Sequence, residues 1–203
     1  WSRSRQSLTT ASSCSPAGVS RIGRVCRSKS AVPNCSSSVR IWWLTAAGVT
    51  FITDPADLDE DRLMADLKAQ GADAEAVAST LAQQKAIAVS RRHPGRTVLG
   101  GDSVIAFGGE YLSKCATLDA ARALLARLSG HAHLLVSAAA LARDGALLWT
   151  HASPCHMQMR ELSPEFLDDY LVQEGPAILS SVGCYHFEGR GAQLFDRVDG
   201  DYF

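Results

Sequence analysis

The sequence predicts an α/β chain, and three observations carry that reading. Thr97 to Phe107 is an apolar run broken only by Gly100-Gly101-Asp102-Ser103, the pattern of a buried strand with a carboxylate set into it. Ala74 to Arg91 gathers Val77, Leu81, Ala82, Ala88 and Val89 near one helical face. Asp144-Gly145 separates two apolar runs, His133–Ala142 and Ala146–His151, a strong local signal for a β-hairpin. At 203 residues the chain suits one domain or one compact two-lobed unit, large enough to bury about 70% of its unfolded surface.

Taken in order, residues 1–36 are rich in Ser and Arg, lack acids, contain Pro16 and Pro33, and show no sustained helical or strand period. A transit segment, a disordered basic arm and sequence foreign to the native product all remain open for this stretch. From Ser36 the text changes to a polar turn, an apolar helix over Ile41–Ala47, Gly48 as a stop, and a short strand over Val49–Thr53. Arg40 heads that helix, where the N-terminus already attracts anions, and reads either as an anion contact or as a solvated flank. Trp42 and Trp43 read as core or interface. Asp57, Asp59, Glu60 and Asp61 open the next helix, where acids complement the dipole. Lys85 lies on or beside the apolar face of Ala74–Arg91 and is expected to snorkel to solvent.

After the central strand, Gly108-Gly109 turns the chain and is expected to bring Lys114 back near Asp102. Thr117 caps a helix striped by Leu118, Ala121, Leu124, Leu125 and Leu128 and ended by Ser129-Gly130. Cys155–Arg160 reads as a further strand, and Ser163-Pro164-Glu165 starts a helix through Val172. Residues 183–192 form a glycine-punctuated loop, followed by a strand through Val198 and the turn at 199–201. No linker divides residues 37–203.

Charge restricts the functions open to the chain. The net charge is −1, yet residues 1–53 hold seven Lys or Arg and no acid, so the remainder, with 13 basic and 21 acidic residues, is acidic. Such a body does not hold a nucleic acid polymer by its bulk field, and an anionic ligand needs a local basic cluster or a divalent cation. Six cysteines show no C-x-x-C spacing, which points to reduced thiols in a cytoplasmic protein. The apolar runs are too short to span a membrane. His131-x-His133 reads as strand surface rather than a zinc site.

Asp102 is the residue that asks for an explanation, because a carboxylate in an apolar strand is costly unless paired, hydrogen-bonded or bound to a metal. An ion pair with a lysine and a site for a metal and an anion both satisfy it. Ser103 as the nucleophile of a GDSL-type esterase does not, since that chemistry needs a late Asp-x-x-His and no histidine follows His186.

Several blocks in order resemble the Maf family of nucleoside triphosphate pyrophosphatases over about residues 35–203. They are Ser37-Ser38-Val39-Arg40, Asp59-Glu60, Leu81 to Ala86 around Lys85, Gly100-Gly101-Asp102-Ser103, Leu112-Ser113-Lys114, Leu128-Ser129-Gly130 with His133, Tyr170 with Glu174, Gly183-Cys184-Tyr185 through Glu188-Gly189, and Asp199-Gly200-Asp201-Tyr202. Cys35 and Cys115 stand where the family has serine and proline, and the family's C-terminal block is absent from the sequence. The resemblance implies a mixed twisted sheet in two lobes with a central cleft. It implies a domain at 37–203 preceded by a disordered or non-native extension at 1–36, and a homodimer as the assembly.

It also implies metal-dependent hydrolysis of nucleoside triphosphates to a nucleoside monophosphate and pyrophosphate, directed at non-canonical or modified nucleotides. On that reading Glu60 and Asp102 are hard oxygen ligands for Mg²⁺ or Mn²⁺, and Asp102 orients or deprotonates the attacking water. Ser37, Arg40, Lys85 and Lys114 bind the triphosphate. Glu188 faces the base: its position carries glutamine in the pyrimidine branch and tends to carry glutamate in the branch acting on 7-methylguanosine triphosphate. It reads equally as a structural acid near Arg190. A nucleotide-binding regulatory protein of the same fold, impaired in catalysis, is the alternative.

Overall fold

The computed structural model describes residues 22–27, 44 and 47–200. Strand β1 is Ile22–Arg27 and β2 is Ile52–Pro55; helix α1 is Glu60–Ala69 and α2 is Ala74–Arg92. There follow β3 (Thr97–Phe107), β4 (Glu110–Tyr111), α3 (Leu118–Leu128), β5 (Ala132–Arg143), β6 (Ala146–Met159), α4 (Pro164–Glu174) and β7 (Phe195–Gly200), with short 3₁₀ turns at Gly175–Ser180 and Arg190–Leu194. The strands form one mixed sheet in the order β2-β1-β3-β5-β6-β7, with β4 attached to β3. Strand β1 runs parallel to both neighbours, whereas β3, β5, β6 and β7 are antiparallel. No helix among the described residues is long and apolar enough to cross a membrane.

Local sequence explains where the elements start and turn. The side chains of Asp59, Asp73, Thr117 and Ser163 each accept a hydrogen bond from the backbone N–H three residues on, at 3.1, 2.8, 3.2 and 3.2 Å. All four described α-helices thus begin on a polar cap. Asp144 and Gly145 have φ of 52° and 80°, the left-handed pair that a two-residue hairpin of type I′ requires.

Three expectations change. Residues 22–27, read as lacking regular structure, form a strand between β2 and β3. Cys155–Arg160 is not a separate strand: β6 is continuous from Ala146 to Met159, and Pro154 stays in register opposite Val136. The short strand near Val49 begins at Ile52 instead.

Two large apolar cores lie on opposite faces of the sheet, besides a small cluster of Ala56, Val89 and Val98. Val104 and Val136 face α2, where they pack with Val77, Leu81, Ala82 and Ala86. Their chain neighbours Ile105 and Leu135 face the other way, into a core with Leu124, Leu125 and Leu128 of α3 and Leu167 and Tyr170 of α4.

Close approach of α2 to β3 depends on Gly100. A Cβ there would run into the carbonyl oxygen of Ala82 and lie 2.7 Å from the backbone nitrogen of Ala86, atoms of a helix that cannot yield locally. Gly100→Ala is therefore expected to cost about 3 kcal/mol, in the range for overpacking. Urea unfolding checks this, and an unchanged midpoint would contradict the seating of the helix.

Candidate functional site

The tight fit at Gly100 sets up the site. Asp102 is two residues further along β3 and so on the face that Gly100 turns to α2. Lys85 follows Ala82 by three residues on that helix. Its side chain, 2% exposed, does not snorkel as expected but runs inward. Lys85 Nζ donates to Asp102 Oδ1 at 2.6 Å and to Glu60 Oε2 at 2.9 Å. Glu60 arrives from the first turn of α1, immediately after the Asp59 cap.

The electrostatics explain why a buried lysine stays charged. Burial alone pushes the Lys85 ammonium down, but the charges of Asp102 and Glu60 and their hydrogen bonds outweigh it, and the net direction is upward. With the Lys85 pKa above its ordinary 10.5, the stabilisation is complete below that pH and is lost as pH rises through the higher folded value. One ammonium against two carboxylates leaves a net charge of −1. Asp102 and Glu60 are 16% and 25% exposed, so the cluster opens to solvent on the carboxylate side. Among the described residues Asp102 Oδ2 and Glu60 Oε1 carry no hydrogen bond.

The sequence-predicted residues are thus partly assembled. Glu60, Lys85 and Asp102 meet. Ser37 and Arg40 lie outside the described residues. The expected partnership of Lys114 with Asp102 is corrected: the lysine on Asp102 is Lys85. The reason is the shortness of β4, which pairs with β3 only through Glu110 and Tyr111 before Leu112 N–H donates to Ile105 O at 2.9 Å and the chain turns away. Lys114 and Glu188 are both exposed. Their segments meet at one apolar core, to which the buried Cys184 belongs and against which Cys115, next to Lys114, packs. Burial first, and then that neighbouring thiol, push the Cys184 thiol up to about 12. Ser103, excluded above as a nucleophile, pairs with the Ser137 hydroxyl at 2.8 Å.

Two features of the 183–190 loop escaped the reading of the sequence. Glu174 lies 3.9 Å from both His186 Nδ1 and Arg190 Nε, tying the loop to the end of α4. His133, expected on a strand surface, is only 4% exposed, and its Nε2 shares a 2.9 Å hydrogen bond with the Tyr185 hydroxyl. Its companion His131 is exposed, as expected. His131 precedes β5 whereas His133 lies within it, and the Tyr185 hydroxyl, 52 residues away, makes the buried position tenable for His133.

Burial pushes the His133 imidazole down to about 4. A histidine depressed from 6.5 binds protons in the unfolded state first, so stability falls as pH drops from 6.5 towards 4, by about 3 kcal/mol in all. Urea midpoints at pH 7 and 4.5 should show this slope in the parent protein and lose much of it in His133→Gln; an equal slope in both would contradict the assignment.

No group of three or more His, Cys, Asp or Glu converges among the described residues, so the protein's hard donors at the cluster are the two carboxylates. They fit a small divalent cation that keeps waters and substrate oxygens as its remaining ligands. The fold and the cluster together define a class: a mixed α/β protein in which an ammonium, sealed under a helix, holds two carboxylates towards solvent.

The chain belongs to the Maf-like protein family, whose model matches residues 35–203. It is 44% identical over 169 residues to a nucleoside triphosphate pyrophosphatase of Granulibacter bethesdensis, covering 83% of this chain and 85% of that protein. Over 160 residues it is 47% identical to a 7-methyl-GTP pyrophosphatase of Brucella abortus, covering 79% and 80%. A nucleoside triphosphate pyrophosphatase of Caulobacter vibrioides is 41% identical over 167 residues, covering 82% and 83%.

Proposed function

We propose that the chain hydrolyses nucleoside triphosphates between the α and β phosphates, releasing a nucleoside monophosphate and pyrophosphate. The observation that carries this reading is the buried Lys85 bridging Asp102 and Glu60. Relatives of similar length named for that activity support it.

Lys85 holds both carboxylates in one place, and with two of its three N–H groups so used, the third remains for a phosphate oxygen. The Asp102 carboxylate orients the attacking water or takes its proton. The carboxylates of Glu60 and Asp102 would hold Mg²⁺ or Mn²⁺, which when bound supplies charge neutralisation for the triphosphate and the developing pyrophosphate. Lys114 adds a cation from the loop before α3, and Ser37 and Arg40 complete the phosphate contacts. Glu188 reads the base, its carboxylate favouring an edge that offers donors, as guanine does. Three free cysteines among the described residues support a reducing, cytoplasmic setting.

Phosphorus NMR of the products tests the bond cleaved. Monophosphate with pyrophosphate is expected, and diphosphate with inorganic phosphate would contradict the proposal.

A further inference from the structure

A buried imidazole with one satisfied ring nitrogen is an expensive way to fill a core. His133 Nδ1 is the one buried side-chain nitrogen or oxygen without a hydrogen-bond partner among the described residues. The site is otherwise apolar, and the His133 ring lies 5.8 Å from Phe195. Net stability therefore does not explain the pair, since replacing both His133 and Tyr185 by apolar side chains of similar shape leaves neither ring nitrogen nor hydroxyl unpaired. What the imidazole does supply is one directional bond, to the hydroxyl of Tyr185.

Tyr185 is 4% exposed and belongs to a loop that the chain holds at cost elsewhere too. Cys184 takes φ of 54°, a left-handed conformation that a residue with a Cβ rarely adopts. Gly183 is packed so closely that a Cβ there would strike the Tyr185 ring and lie 2.8 Å from Ile105 Cδ1 of β3. Tyr170 of α4 donates from its hydroxyl to the Cys184 carbonyl at 3.4 Å, and Tyr185 meets Phe195 edge-on at 4.9 Å. Contacts from β3, β5, α4 and β7 thus converge on Gly183, Cys184 and Tyr185, and three residues after Tyr185 the loop presents Glu188 to solvent.

We infer that His133 and Tyr185 are a positioning pair: their buried hydrogen bond fixes the 183–188 loop in one register and thereby sets how Glu188 meets the nucleobase. Neither residue touches the reacting phosphates. The inference rests on the reading of Glu188 as a base contact, and it makes nucleobase selectivity the property that the pair controls. A buried polar pair is suited to this task because an apolar substitute tolerates several loop positions, whereas one hydrogen bond in an apolar site tolerates few.

The test measures the ratio of GTP to UTP, as equilibrium affinity and as kcat/KM, in the full chain with Mg²⁺. A ratio is independent of the folded fraction, so a merely structural role does not move it. Tyr185→Phe keeps the ring contacts and removes only the hydroxyl, and His133→Gln retains a polar side chain. Each is expected to narrow the ratio by about tenfold, with the change falling on KM more than on kcat. The double variant is expected to be no worse than the more affected single, because both remove one bond. If His133→Gln fails to fold, Tyr185→Phe alone carries the measurement. An unchanged ratio in Tyr185→Phe while Glu188→Gln shifts it would overturn the positioning role. An unchanged ratio in Glu188→Gln would overturn the base contact and the inference with it. Absence of any nucleotide binding by the parent protein would instead overturn the proposed function.

Discussion

Replacing Lys85 by methionine should lower stability by about 3–5 kcal/mol at neutral pH and reduce turnover at least a hundredfold. Methionine has nearly the volume of the lysine stem, so the loss is electrostatic. Asp102 and Glu60, both bonded to the same ammonium at 2.6 and 2.9 Å, would be left as two partly buried like charges under α2. Urea midpoints of variant and parent at pH 7 measure that loss, and an unchanged midpoint would mean that the ammonium contributes nothing to the fold. A variant of full activity would remove the cluster from the mechanism.

Asp102→Asn is expected to behave differently. The amide oxygen can still accept from Lys85, and the bond from Lys85 to Glu60 persists, so the fold should survive with a loss of about 1–2 kcal/mol. Turnover should fall about a thousandfold or more, because an amide neither takes a proton nor offers a charged oxygen to a cation. Nucleotide binding should remain measurable. That split, chemistry lost and binding kept, separates a catalytic carboxylate from a structural one. Activity within a few-fold of the parent would refute the role given to Asp102.

The two variants also show which parts of the site were legible in the sequence. Asp102 stood out because the surrounding run is apolar over both faces of a strand, and burial of such a strand follows from composition alone. Glu60 could be placed at a helix start from its acidic neighbours. The fate of Lys85 could not be read the same way. A lysine beside an apolar helical stripe reaches either solvent or a buried acid, and the choice was made by Gly100, which lets α2 approach β3. The signal was present as Gly100 followed two residues later by Asp102, but it requires knowing that α2 packs on that strand.

The same limit applies to the rest of the fold. Caps and turns, such as Thr117, Ser163 and Asp144-Gly145, are local chemistry and were placed from the sequence. Strand β1 was missed because its pairing with β2 and β3 is nonlocal and its six residues sit among Ser and Arg. The length of β6 was missed because Pro154 reads as a break, whereas the sheet accommodates it opposite Val136. His133 was misplaced because its partner lies in a distant loop.

The most direct test of the account is pyrophosphate release from a panel of canonical and modified nucleoside triphosphates, with Mg²⁺ or Mn²⁺, with EDTA as control, and with Asp102→Asn in parallel. Metal-dependent release with a preferred base, abolished by EDTA and by the substitution, is the expected result. Undiminished release in EDTA, or from Asp102→Asn, would contradict a centre built on Asp102 and Glu60 around Lys85.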